Sequence, residues 1–280
     1  MKLHTIETGR FKLDGGAMFG VVPKSIWESL NPADANNMCT WALRCLLVET
    51  GNKLVLIDNG IGNKQDAKFF SYYYLHGDDS LEKSLRKLGY HADDITDVIL
   101  THLHFDHCGG SVVRNNDKLE TAFKNATYWS NEKHWLTATQ PNAREKASFL
   151  KDNILPIAES GQLKYAVDGQ EIIPDISLMM SNGHTEGMMH PIINYKNKTV
   201  VYVADMIPSS HHIPLPYVMA YDMQPLVTMT EKQQFLSQAA ANNYILYFEH
   251  DPDVVCCTVK VTERGVKKDE TFTLESYFGY

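Results

Sequence analysis

The sequence predicts an α/β fold of two sheets set face to face with helices outside. Short apolar runs of strand length alternate with segments of helical period, and the order strand, strand, helix, strand occurs once in each half of the chain. In both halves the runs stop at histidine or aspartate beside turn-forming residues, so two similar scaffolds would present side chains from strand ends. Neither a low-complexity tract nor a linker interrupts 1–280. The expectation is one compact domain, with pseudo-repeat halves at about 1–130 and 165–280 and a helical insert at about 131–161.

The N-terminal residues Met1–Gly9 read as a first strand, since they lack the apolar centre of a signal peptide. Trp41–Glu49 is a strand, Gly51-Asn52 a turn and Lys53–Ile57 the returning strand, ending at Asp58-Asn59-Gly60. Residues 80–88 carry apolar positions spaced by four and three on a helix capped by Ser80 or Asp79. Asp97–Leu100 is a strand leading into a loop. The insert as a whole is expected to cover the site, and within it the run from Ala143 to Leu155 reads as helix. Ile176–Met180 is a strand that stops at Asn182-Gly183-His184. Pro191–Tyr195 and Thr199–Ala204 form a hairpin across Lys196-Asn197-Lys198, Glu231–Ala241 is helical, and Tyr244–Phe248 is a strand ending before His250.

Composition narrows the function classes. With 44% apolar residues the chain has ample material for a core, and a net charge of −8 argues against a broad grip on nucleic acid or anionic membranes. No apolar run approaches the roughly 20 residues that span a bilayer. Five scattered cysteines do not suggest a disulfide framework, so a reducing cytoplasm is the simplest compartment, although a processed mature chain would look the same.

The richest stretch is Thr101-His-Leu-His-Phe-Asp-His-Cys-Gly-Gly110. His102 and His104 are two apart, so in an extended segment they project to one side and can share a cation. Asp106 and His107 point elsewhere and can serve a second ion. His184, Asp205 and His250 each follow an apolar run in the second half. A closed structural zinc site takes four ligands, often cysteine; seven nitrogen and oxygen ligands point to an open pair of ions.

These motifs, with Gly183-His184-Thr185, Ala204-Asp205 and Glu249-His250-Asp251-Pro252, resemble the metallohydrolase branch of the metallo-β-lactamase superfamily over nearly the whole chain. The resemblance implies a four-layer αββα sandwich with a dinuclear metal site at one edge of the sheets. His102, His104 and His184 would hold the first metal, Asp106, His107 and His250 the second, and Asp205 would bridge them. Two Zn²⁺ are expected, with Mn, Fe or Co compatible with the same donors. The ions would lower the pKa of a shared water, giving a bridging hydroxide able to attack a lactone or ester, with Asp106 relaying the proton. N-acyl homoserine lactones are the leading substrates implied, and quorum quenching the role. A phosphotriesterase or arylesterase, a glyoxalase II-like thioesterase and a mononuclear iron persulfide dioxygenase are the rival readings.

Residues around the metals carry weaker signals. Asp58 either orients a ligand histidine or caps a turn, and Cys108 reads as a packed residue. His212 is expected to contact substrate or donate a proton, by its place in the resemblance; a solvent-facing ring is the alternative. Met18, Phe19 and Trp27 lie in a glycine-rich stretch that either walls a substrate pocket or forms a hairpin at the sheet edge, and the resemblance favours the wall. Tyr217, Met219 and Tyr221 are expected to face the same space. Several lactonases of the superfamily carry a tyrosine three residues after the bridging aspartate, where this chain has Pro208, so Tyr217 or Tyr221 would have to supply a phenolic donor. Tyr72, Tyr73 and Tyr74 belong either to the pocket or to a homodimer contact. His134 and His190 have no spacing that demands chemistry.

Overall fold

The computed structural model describes every residue from Met1 to Tyr280, and the chain divides into two compact units. The first comprises Met1–Gly9 and Leu43–Gln170, the second Arg10–Ala42 and Glu171–Tyr280. These boundaries differ from halves at 130 and 165, because residues 10–42 are grouped with the C-terminal part of the chain. The strands Lys2–Asp14 and Met38–Thr50 are 13 residues each and run from one unit into the other.

The first sheet has the order Lys2–Asp14, Met38–Thr50, Lys53–Ile57, Asp97–Ile99, Thr127–Ser130, Leu163–Tyr165. A tight turn joins Met38–Thr50 to Lys53–Ile57 as an antiparallel pair, with Thr50 opposite Lys53. Thereafter the strands run parallel, which requires crossovers. The first crossover contains the helix Leu81–Lys87, whose Ser80 hydroxyl accepts from the Lys83 amide at 3.2 Å. Parallel strands need apolar residues on both faces, and Val55, Leu56, Ile57, Val98 and Ile99 are all fully buried.

The insert supplies the helices Glu132–Thr139 and Lys151–Glu159, but residues 143–150 are not helical as expected. The Asn142 side chain takes the amides of Arg144 and Glu145, and the Ser148 carbonyl accepts from Phe105 N, so these groups are turned away from a helical ladder.

The second unit holds a seven-stranded sheet in the order Gly265–Phe272, Cys256–Thr262, Ile245–Tyr247, Lys198–Tyr202, Met188–Tyr195, Ile176–Ser181, Glu171–Ile173. The expected hairpin is present. Lys196 and Asn197 take positive φ of 49° and 60°, as a two-residue type I′ turn demands. The helix Pro225–Asn242 begins six residues before the expected Glu231, with proline in its first turn, and ends on left-handed Asn243. It buries Thr228, Lys232, Phe235, Leu236 and Ala239 along one stripe. Residues 13–27 do not form the hairpin weighed above: after Asp14 the chain makes two helical turns, Gly15–Phe19 and Lys24–Trp27. No helix is long and apolar enough to cross a membrane.

In each unit the chain leaves the carboxyl end of a parallel strand and places chemistry-bearing residues there, where open α/β sheets gather their sites. Asp58 follows Lys53–Ile57, the 101–107 loop follows Asp97–Ile99, Asp205 follows Lys198–Tyr202, and His250 follows Ile245–Tyr247. The 101–110 loop is pinned by close backbone approach. A Cβ on Gly109 would stand 2.1 Å from the Ile61 oxygen, and one on Gly110 2.3 Å from the Asn59 oxygen. Gly109→Ala is therefore expected to cost about 1–3 kcal/mol through overpacking, read as a lowered urea midpoint.

Candidate metal centre

In the first unit His102, His104, Asp106 and His107 are all buried. Their orientation follows from what holds each ring on its outer side. The Asp58 carboxylate accepts from Thr101 N at 2.8 Å, from Thr101 Oγ1 at 2.7 Å and from His107 Nδ1 at 3.1 Å, so it both closes its turn and orients a ring. With its own proton given to Asp58, Thr101 Oγ1 accepts from His102 Nδ1 at 3.1 Å. Glu145 Oε1 lies 3.3 Å from His104 Nε2. Carboxylates, and a hydroxyl whose proton is already given, can only accept here, so each outer nitrogen carries a proton and the inner nitrogen of a neutral ring keeps its lone pair. The insert packs on this loop as expected: His134 Nε2 accepts from Leu103 N at 2.8 Å, and the Phe149 ring lies 4.9 Å from that of His104.

The second unit repeats the device. Asp222 Oδ1 accepts from His184 Nδ1 at 2.8 Å, and the Ala42 carbonyl accepts from His250 Nδ1 at 2.8 Å. Both inner nitrogens then face one carboxylate. His184 Nε2 stands 3.2 Å from Asp205 Oδ2, and His250 Nε2 stands 3.2 Å from Asp205 Oδ1. His184, Asp205, Asp222 and His250 are buried.

This polarity tests whether a metal fits. In the first unit the inner His102 Nε2 and His104 Nδ1 are 3.0 Å apart. In the neutral rings acceptor therefore faces acceptor at three places, an arrangement that repels unless a cation, metal ion or proton, lies between. Ligand atoms on a tetrahedral ion with bonds near 2.0–2.1 Å are about 3.3 Å apart, close to all three separations. The donor set of ring nitrogen and carboxylate oxygen fits a divalent ion of the zinc type. Cys108 does not join it: burial pushes its thiol up to about 12, and Sγ donates to the Leu103 carbonyl at 3.3 Å.

The other expected residues fall into two groups. Phe19 stacks between Trp27, at 5.3 Å, and His212, at 4.8 Å, while Tyr217 meets it edge-on at 6.5 Å. Met18, Phe19, Trp27 and His212 are all buried, so they form the backing of this segment; its exposed apolar side chains are Val21 and Ile26. His212 is not solvent-facing. Nε2 donates to the Met18 carbonyl at 2.9 Å, Nδ1 accepts from Ser209 Oγ at 2.8 Å, and burial holds the ring down to about 3, so it is neutral near pH 7. Tyr221 is 36% exposed in the turn before Asp222. Of the three consecutive tyrosines, Tyr72 and Tyr74 point outward, whereas Tyr73 packs on Phe105 at 4.7 Å and Phe69 at 5.0 Å. Burial and the Asp106 carboxylate push its phenol up to about 12.

Sequence reasoning missed Glu145, Asp222, His134 and His190. Asp222 lies next to Tyr221 in a turn, with no neighbour in sequence that marks it out. Glu145 sits in a stretch read as helix. His190 is in mid-strand, yet its Nε2 bonds Ser181 Oγ at 2.8 Å and its Nδ1 the Val203 carbonyl at 3.1 Å, bracing the strands before His184 and Asp205.

Residues 44–258 match the family model of the metallo-beta-lactamase superfamily. An N-acyl homoserine lactonase of Bacillus cereus is 26% identical over 212 residues, 71% of this chain and 73% of that protein. Among solved structures, a probable metal-dependent hydrolase from Staphylococcus aureus superposes with a TM-score of 0.88 at 28% identity, covering 97% of this chain and 96% of that one. AidC, a dizinc quorum-quenching lactonase in complex with a product, superposes with a TM-score of 0.77 at 25% identity over 97% of this chain and 95% of its own. The fold is the metallo-β-lactamase fold, and the protein is a metallohydrolase of that kind.

Two outcomes follow from the outer shell. Asp222→Ala leaves His184 without its acceptor and is expected to weaken metal binding by about 10–100-fold, measured by chelator competition. His190 is held down to about 4 by burial, against an ordinary value of 6.5, so the unfolded chain binds its proton first as pH falls. Stability is expected to drop from pH 6.5 towards 4, and His190→Gln should flatten that slope in urea titrations.

Proposed function

This chain belongs to the metallo-β-lactamase superfamily, and from that premise we propose that it hydrolyses lactones or esters, N-acyl homoserine lactones first among them. The observation that carries the reading is the inward lone pairs of buried histidines, held from outside by carboxylates, a hydroxyl and a backbone carbonyl and aimed at one another or at Asp205. We assign His102, His104 and His184 to one divalent ion, Asp106, His107 and His250 to a second, and Asp205 to both. Zinc is the ion we favour, as in the dizinc relative AidC. Bound there, the ions supply Lewis acidity towards a carbonyl oxygen and an activated water at neutral pH.

The chain's own residues do the rest. Asp58, Glu145, Asp222 and the Ala42 carbonyl fix the ring tautomers, so the donor set needs no rearrangement to act. Asp106 takes the proton of the attacking water. Phe69, Tyr73 and Phe105 form an aromatic cluster beside Asp106 that excludes water, and we assign the acyl chain to the wall that Met18, Phe19 and Trp27 back and Tyr217 joins. The Tyr221 phenol supplies the hydrogen-bond donor for which Pro208 leaves no tyrosine. His212, neutral and engaged at both nitrogens, shapes the Met18–Phe19 segment and does not move a proton. Five scattered cysteines suit a reducing cytoplasm.

The test is a substrate panel on metal-analysed protein: acyl homoserine lactones, simple esters, a phosphotriester and S-lactoylglutathione. Two ions per chain are expected, with lactone kcat/KM at least about tenfold above that of simple esters. Chelation should abolish turnover, and added Zn²⁺ should restore it. Lactones cleaved no faster than generic esters, or a preference for the phosphotriester or thioester, would overturn the substrate assignment. A single bound iron with oxygen consumption on persulfides would replace it with the dioxygenase reading.

A further inference from the structure

Lys232 is fully buried on the helix Pro225–Asn242, yet its ammonium makes no hydrogen bond to a carboxylate. It donates instead to three backbone carbonyls of one turn: Tyr217 at 2.8 Å, His212 at 3.0 Å and Pro214 at 3.2 Å. An ammonium has three donors, and here all three are used. The turn creates that demand itself. Pro214 and Pro216 have no N–H, and the backbone bonds of the turn are His212 N to Ser209 O at 2.9 Å, Tyr217 N to Pro214 O at 2.9 Å and Val218 N to Pro216 O at 3.1 Å. Burial brings the ammonium down to about 7, with the Asp222 carboxylate opposing.

The carbonyls gathered this way belong to the residues that set the aromatic segment. His212 stacks on Phe19 and Tyr217 meets the same ring edge-on. A neighbouring residue on the helix serves a different loop: Glu231 accepts from Asn182 N at 2.8 Å and Gly183 N at 3.0 Å, just before His184. One turn of helix thus holds a ligand loop through an anion and the 212–217 turn through a cation.

We propose that Lys232 is a positioning residue for substrate selection, fixing the 212–217 turn against Phe19 and thereby the size of acyl group accepted. This rests on the lactone and ester hydrolase reading. The role is separate from metal retention, which falls to Glu231 and Asp222.

The experiment compares wild type with Lys232→Met, which keeps the length but removes every donor, and Lys232→Gln, which keeps two. Hydrogen exchange over residues 209–218 is measured first, without substrate, along with metal content. Faster exchange confined to that turn, with two ions retained, is expected in both variants and more strongly in Met. The ratio of kcat/KM for decanoyl over butanoyl homoserine lactone should fall by about tenfold in Lys232→Met, mainly through KM for the longer substrate. Lys232→Gln should shift the same way by less, and it carries the test if the Met variant fails to fold. Unchanged exchange in the turn would overturn the anchoring role. Local loosening with both substrates affected equally would overturn the role in selection while leaving the hydrolase reading intact. Should the wild type turn over no lactone or ester, that reading falls, and with it the selection role, while the exchange data still decide whether Lys232 holds the turn.

Discussion

The candidate metal centre depends on the direction in which each buried imidazole presents its lone pair. A neutral ring has one donor and one acceptor nitrogen, and whichever nitrogen meets an obligate acceptor must carry the proton. Asp58, Glu145, Asp222 and the Ala42 carbonyl take up the outer nitrogens, which turns the acceptor side of His107, His104, His184 and His250 inward. Asp205 then receives two such nitrogens, one on each oxygen. The folded protein holds like partial charges together, so a bound cation is also a binding contribution to the native state.

That constraint explains why secondary structure and site are so closely joined. The groups that orient the rings lie at the ends of the same short strands as the rings, in the neighbouring strand Met38–Thr50, or in the turns and insert beside them. Asp58 reaches back to Thr101 across adjacent parallel strands, and glycines at 62, 109 and 110 let the backbones touch behind the loop. In the second unit the helix Pro225–Asn242 supplies a carboxylate to one loop and an ammonium to another. The burial of these charges is tolerable because each is spent on main-chain groups that would otherwise be unsatisfied.

Much of this was legible in the sequence, and the pattern of what was not is physical. The ligand-type residues were visible because they cluster in sequence or follow apolar runs. The hairpin turn at Lys196-Asn197 was equally visible, and the helix cap was narrowed to Ser80 or Asp79, since local backbone geometry sets both features. Asp222 and Glu145 were not, because a carboxylate in a turn has many local uses and only tertiary contact selects one. The helical expectation for 143–150 failed because Asn142 captures two amides that a helix would need. His212 looked reactive from its loop and proved to be a packed ring, a distinction that depends on Phe19, far away in the chain.

The division of the chain has a consequence for anyone dissecting the molecule. Its units exchange the polypeptide three times, after residues 9, 42 and 170. Neither is a contiguous gene fragment, so truncation at any one junction would strand residues 10–42 from their partners or leave residues 1–9 behind. An isolated half would require recombining two separate segments through a new connection.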